Sequence, residues 1–107
     1  MSSTAVVVLL FTAASAEEAT RIGRILVEER LAACVNVLPS VRSIYRWKGK
    51  VEDGSEALAL VKTRRENLDR LIARIKALHA YEVPEAIALE VVAGNPDYLA
   101  WVAENSA

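Results

Sequence analysis

The pattern of apolar and polar positions changes period several times along the chain, and each change marks an element. Val6-Val7-Val8-Leu9-Leu10-Phe11 is an unbroken apolar run, too short for a helix of its own, and reads as a central strand covered on both faces. From Ala16 the period becomes helical. Ala19, Ile22, Ile25, Leu26 and Val27 form a stripe, Ser15 and Glu18 offer a capping box, and Arg30 lies where the helix dipole favours a cation. The spacing predicts a helix over Ala16 to Leu31.

Between Ala33 and Thr63 the pattern turns extended again. Cys34 to Leu38 and Val41 to Trp47 are rich in β-branched and aromatic residues, and Glu56 to Lys62 is apolar with charged ends. Lys48-Gly49 and Asp53-Gly54 supply turn chemistry. This predicts a long antiparallel hairpin with its tightest turn near Gly49, a bulge near Gly54, and a bend or an edge at Pro39, which cannot donate a ladder bond. Thr63-Arg64-Arg65-Glu66 reads as a second capping box, ahead of Leu68, Leu71, Ile72, Ile75 and Leu78 on one helical face, with Glu66 and Arg70 as an i, i+4 pair. His79 to Glu85 reads as a loop and Ala86 to Val92 as a strand broken by Gly94. Asn95-Pro96-Asp97 then starts a short helix carrying Tyr98, Trp101 and Val102.

The order strand, helix, strand, strand, helix, strand predicts a ferredoxin-like α+β fold. It is βαββαβ with an extra C-terminal helix, a four-stranded antiparallel sheet and a long hairpin, in a single domain over residues 1–107. Both long helices then cover one face of the sheet and leave the other apolar and bare. The ribbon is longer than a small domain can cover, and Tyr45 and Trp47 share one of its exposed faces. Both features predict self-assembly.

Composition refines this. With 107 residues, 53% of them hydrophobic, the chain can build a core without disulfides or a structural metal, so no cofactor is required for folding. A net charge of −1 argues against a nucleic-acid partner. The single cysteine, Cys34, excludes an internal disulfide and suits the cytoplasm. Ala5 to Phe11 followed by Ala14-Ser15-Ala16 imitates a leader, but Met1-Ser2-Ser3-Thr4 brings no positive charge, and the run is too short to span a bilayer as a helix. No membrane partner is expected.

No G-x-x-x-x-G-K-[ST], G-x-G-x-x-G or C-x-x-C motif is present, and no constellation supports an enzyme. Three features carry chemistry. Cys34 is either a small buried hydrophobe on a strand or a soft metal ligand or redox thiol. His79, the one histidine, either caps the second helix or ligates a metal with Glu82 or Glu85 nearby and the Tyr81 hydroxyl beside it. Lys62, followed by Thr63, Arg64 and Arg65, either solvates a strand end or holds an anion at a helix N-terminus. We place the candidate ligand cleft at a subunit boundary where the ribbon, with Trp47 and Lys62, approaches the loop with His79, Tyr81 and Glu85.

Several of these stretches resemble the CutA family of divalent-cation tolerance proteins. They are Leu26 to Asn36, Ser43-Ile44-Tyr45-Arg46-Trp47-Lys48-Gly49-Lys50, Leu60-Val61-Lys62-Thr63, His79-Ala80-Tyr81-Glu82-Val83-Pro84-Glu85, and Gly94 to Trp101. The resemblance covers nearly the whole chain, in order. It implies a ferredoxin-like subunit in a tight homotrimer built by ribbon strands adding to neighbouring sheets, akin to the trimeric PII signalling proteins. It also implies a role in tolerance of divalent ions, copper above all. The family's copper sites take a cysteine in the first strand and histidines ahead of the tyrosine-containing motif. Here Phe11 and Leu78 stand at such positions, and Ala80 replaces the usual proline. Only His79 carries over, with Cys34 as a separate candidate ligand and Glu82 beside it in the candidate metal set. The alternatives are a PII-like module binding a small anionic molecule at subunit clefts and a ferredoxin-like RNA binder, against which charge and burial of the sheet face both count.

Overall fold

The structure is a computed structural model that describes residues 4–107; residues 1–3, the start of the uncharged N-terminal stretch, lie outside the described residues. The chain runs β1 (Val6–Ala13), α1 (Ala16–Glu28), β2 (Cys34–Trp47), β3 (Lys50–Arg64), a 3-10 turn (Arg65–Asn67), α2 (Leu68–Leu78), β4 (Ile87–Glu90) and α3 (Pro96–Asn105). The strands form one antiparallel sheet in the order β2-β3-β1-β4, the ferredoxin-like α+β arrangement with an added helix.

Strand alternation decides where the core sits. Leu9, Phe11 and Ala13 of β1 and Ala57, Ala59 and Val61 of β3 meet Ile22 and Leu26 of α1 and Leu71 and Ile75 of α2, all fully buried. Gly23 lets α1 come close to β2, because a Cβ there would lie 2.9 Å from Val35 Cγ1. The opposite face is covered at one end only, where Val102 of α3 packs with Val6 and Ala33. Elsewhere it shows Leu38, Ile87 and Leu89, the last two 54% exposed.

The hairpin turns at Lys48 and Gly49, with φ of 50° and 82°, and Trp47 pairs with Lys50. Left-handed backbone at both central residues matches the twist of the flanking strands. The irregularity in the ladder is not at Gly54, which pairs directly with Ser43. It lies at Pro39-Ser40, where β2 advances from Leu38 to Val41 while β3 steps only from Leu58 to Glu56. Pro39 has no N–H to offer, and β2 is an edge strand, so a bulge there breaks no ladder bond that proline could have made.

Further differences from the sequence reading follow from tertiary contacts. Helix α1 stops at Glu28 rather than Leu31 because Arg30 takes the left-handed conformation (φ 61°) and donates from Nε to the Ala107 carbonyl at 3.0 Å and from Nη2 to the Glu104 carbonyl at 2.7 Å. The second capping box does not form. Thr63 stays in β3 opposite Val7 and donates its hydroxyl to the Leu31 carbonyl at 2.7 Å, so the 3-10 turn intervenes. Glu66 then pairs with Arg64, and Arg70 reaches Asn67 Oδ1 at 2.6 Å, in place of the Glu66–Arg70 pair. Strand β4 is shorter than Ala86 to Val92, and Val27 is 40% exposed instead of joining the apolar stripe. The start of α3 is as read, with Pro96 at its first turn and Asn95 Oδ1 accepting from Asp97 N–H at 3.0 Å.

Asn67 is the hub of a buried polar network. Its amide donates to Thr63 Oγ1 at 3.0 Å and to the Ser106 carbonyl, which Arg64 Nε also reaches at 3.2 Å. Every buried side-chain polar atom among the described residues has a partner, as burial demands.

Candidate functional site

The 79–85 loop is held from three sides. At the start of α1 the Glu18 N–H donates to Ser15 Oγ, yet the Glu18 carboxylate does not close the box on Ser15. It accepts from Ala14 N–H at 3.3 Å and from Ala80 N–H at 3.0 Å, so it ties the helix start to the loop. The His79 imidazole is fully buried. Its Nε2 lies 2.6 Å from the Thr12 carbonyl and its Nδ1 accepts from Tyr81 N–H at 3.0 Å, which places the ring proton on Nε2. The ring meets Phe11 edge-on at 6.3 Å and Tyr81 at 4.6 Å. Helix α2 ends here through the backbone N–H of His79 on the Ile75 carbonyl. The third tie is the Tyr81 hydroxyl, which donates to Glu56 Oε2 of β3 at 2.7 Å. Burial, then the hydrogen bond and charge of Glu56, hold that hydroxyl well above the ordinary tyrosine range.

Between this loop and the ribbon lies a cleft of about 770 Å³, lined among others by Tyr45, Trp47, Glu56, Tyr81, Glu82 and Glu85. It brings together four of the residues singled out from sequence: Trp47, Tyr81, Glu82 and Glu85. His79 sits behind the wall, in contact with Tyr81 but not lining the cleft. Lys62 is elsewhere. It faces Val8 on β1, whereas the cleft residue Thr12 faces Leu58, four positions along the same ladder and roughly 13 Å away by strand rise.

Lys62 instead pairs across the ribbon with Cys34, and its Nζ engages Asn36 Oδ1. Cys34 is half-buried and not a core residue; its Sγ lies 3.7 Å from Asn36 Oδ1. Burial and the neighbouring Cys34 raise the Tyr98 hydroxyl. Cys34 and His79 therefore stand at opposite ends of the sheet, and among the described residues no three His, Cys, Asp or Glu side chains group closely enough to hold a metal ion. Glu82 is exposed and pairs loosely with Lys48 at 3.8 Å.

Sequence reasoning missed Glu56 and Thr12 in the cleft and Asn36 and Tyr98 beside Cys34. For Tyr45 the signal was present, because it shares a ribbon face with Trp47. For Glu56 there was none, since its partner Tyr81 is twenty-five residues away and approaches only through the loop.

A family model described as "CutA1 divalent ion tolerance protein" matches residues 7–105. The chain is 52% identical over 99 residues to "Divalent-cation tolerance protein CutA" of Thermus thermophilus, covering 92% of this chain and 96% of that one. It is 51% identical over 84 residues to "Protein CutA" of Mus musculus, covering 78% of this chain and 48% of the mouse protein, so it spans about half of that relative's length. A solved structure of the Thermus thermophilus "Divalent cation tolerance protein (Cut A1)" superposes with a TM-score of 0.92 at 50% identity and covers 95% of this chain and 99% of that one.

Proposed function

The chain belongs to the CutA1 divalent ion tolerance family, and from that premise we propose that it acts as a non-catalytic homotrimer in the cellular response to divalent metal ions, copper among them. The observation that carries this is the family match across residues 7–105. Support for assembly comes from the bare sheet face, with Ile87 and Leu89 exposed, and from the edge strand β2 of the ribbon, which leaves ladder groups unpaired. The reading takes the cytoplasm as its compartment, where the free Cys34 thiol stays reduced. No described helix is long and apolar enough to cross a membrane.

Within one chain the candidate metal residues do not fit a closed copper site. Cys34 and His79 are at opposite ends of the sheet, and both nitrogens of His79 are engaged. Copper bound with useful affinity then takes donors from more than one copy, and the half-exposed Cys34, a soft ligand, is the donor available for it. The PII-type reading with an anionic ligand gains nothing from the cleft, because Lys62 lies outside it and Arg42, at its rim, is already neutralised by Asp53.

Calorimetric titration with copper, alongside light scattering, tests the proposal on the full chain. The expected result is a mass of three chains, with copper binding lost in Cys34→Ser and retained in His79→Gln. A monomer, or copper binding that survives Cys34→Ser, overturns it.

A further inference from the structure

We propose that the cleft between the ribbon and the 79–85 loop binds a small organic ammonium ion with an apolar stem, a ligand chemically distinct from a divalent metal ion. The volume, about 770 Å³, is that of a small-molecule site. Its walls are Tyr45, Trp47 and Tyr81, whose ring faces carry negative potential. Its polar groups are chiefly the carboxylates of Glu56, Glu82 and Glu85.

What decides the sign of the ligand is which charges are already paired. Arg42, the cation of the lining, donates to both carboxylate oxygens of Asp53 at 2.9 and 2.8 Å. Glu56 accepts from Tyr81, a neutral donor, and forms no ion pair among the described residues. Glu85 has no hydrogen bond or ion pair among the described residues, and the Lys48 contact with Glu82 is long at 3.8 Å. The unpaired charge is negative, so an anion is repelled.

A bare metal ion fits poorly for another reason. The carboxylates are not grouped as ligands, and aromatic walls offer nothing to a hydrated ion. An alkylammonium uses both halves of the cleft, its head on the carboxylates and its stem on the rings. The chain supplies its own precedent: the Lys48 ammonium stands 5.6 Å from the centre of the Trp47 ring, within cation–π range.

The test uses the full chain and three probes with one four-carbon stem: n-butylammonium, 1-butanol and butanoate. Binding is read from the Trp47 indole and the Tyr81, Glu82, Val83 and Glu85 amides by heteronuclear NMR. The expected result is saturable shifts with n-butylammonium about tenfold tighter than with either control, from a carboxylate contact and a cation–π contact together. Glu85→Gln, at an exposed residue whose loss leaves no group unpaired, weakens n-butylammonium about threefold and leaves 1-butanol unchanged. Trp47→Leu weakens it as well. Equal binding of the alcohol, preference for butanoate, no saturable shift, or indifference to Glu85→Gln overturns the proposal.

Discussion

Replacing Tyr81 by phenylalanine removes one oxygen and should detach the 79–85 loop from the ribbon. The hydroxyl donates to the Glu56 carboxylate at 2.7 Å, a charge-assisted bond of the kind worth ~1.5–3 kcal/mol. Glu56 is only partly buried and regains water when the hydroxyl leaves, so the expected loss falls to the bottom of that range or just below it, ~1–1.5 kcal/mol. Denaturant midpoints of the two proteins at one fixed chain concentration measure it, since assembly makes stability concentration-dependent. The pH dependence is the sharper assay. The folded state holds the Tyr81 proton more tightly than the unfolded state does, so the group's contribution is complete below the unfolded value, about 10. It is lost as pH rises through the folded value, because the unfolded chain releases its proton first. The stability gap between wild type and Tyr81→Phe should therefore be flat on the neutral side and shrink above about pH 10. Phenolate absorbance should show fewer tyrosines ionising in the native protein than in the unfolded one over that interval. A gap near zero at neutral pH, or one that stays constant through the alkaline range, refutes the reasoning.

Gly23→Ala should destabilise, although alanine is the better helix former by ~1 kcal/mol. The new methyl lands 2.9 Å from the branched Val35 side chain, and the overpacking should leave a net loss of ~1–2 kcal/mol by chemical denaturation; a more stable variant contradicts the close approach. Asn67→Ala should cost ~1–3 kcal/mol by removing two buried hydrogen bonds, one to the Thr63 hydroxyl, which keeps the Leu31 carbonyl, and one to the Ser106 carbonyl, which keeps Arg64 Nε. Amide exchange in α3 should accelerate with it, and unaltered exchange there would show that the hub does not hold the helix.

The strands and helices were legible because their periods are clean, and the ends were not, because ends are set by tertiary partners. Thr63-Arg64-Arg65-Glu66 has every local mark of a cap, yet Thr63 is claimed by the β1 ladder and by the Leu31 carbonyl. Nothing within four residues of Arg30 signals that α1 stops there; the carbonyls that hold it are those of Glu104 and Ala107. The cleft was half readable for the same reason. Trp47, Tyr81 and Glu85 announce themselves by type and by loop position, but Lys62 looked equivalent until the ladder register put it beside Cys34. His79 read as a helix cap or a metal ligand, and only the fold shows its ring buried behind Tyr81.

The bulge at Pro39-Ser40 works as a phase shift. Before it, Cys34, Asn36 and Leu38 lie across from Lys62, Leu60 and Leu58; after it, Val41, Ser43, Tyr45 and Trp47 lie across from Glu56, Gly54, Glu52 and Lys50. Cross-strand partners share a face. Even-numbered residues of β2 therefore occupy that side up to the bulge, and odd-numbered ones beyond it. Remove one residue and the outer arm inverts: Tyr45 and Trp47 turn away from Glu56, and Arg42, Ile44 and Arg46 replace them. The aromatic wall on the carboxylate side of the cleft thus depends on a count, one residue more on β2 than on β3, and not on the identity of the residue that supplies it.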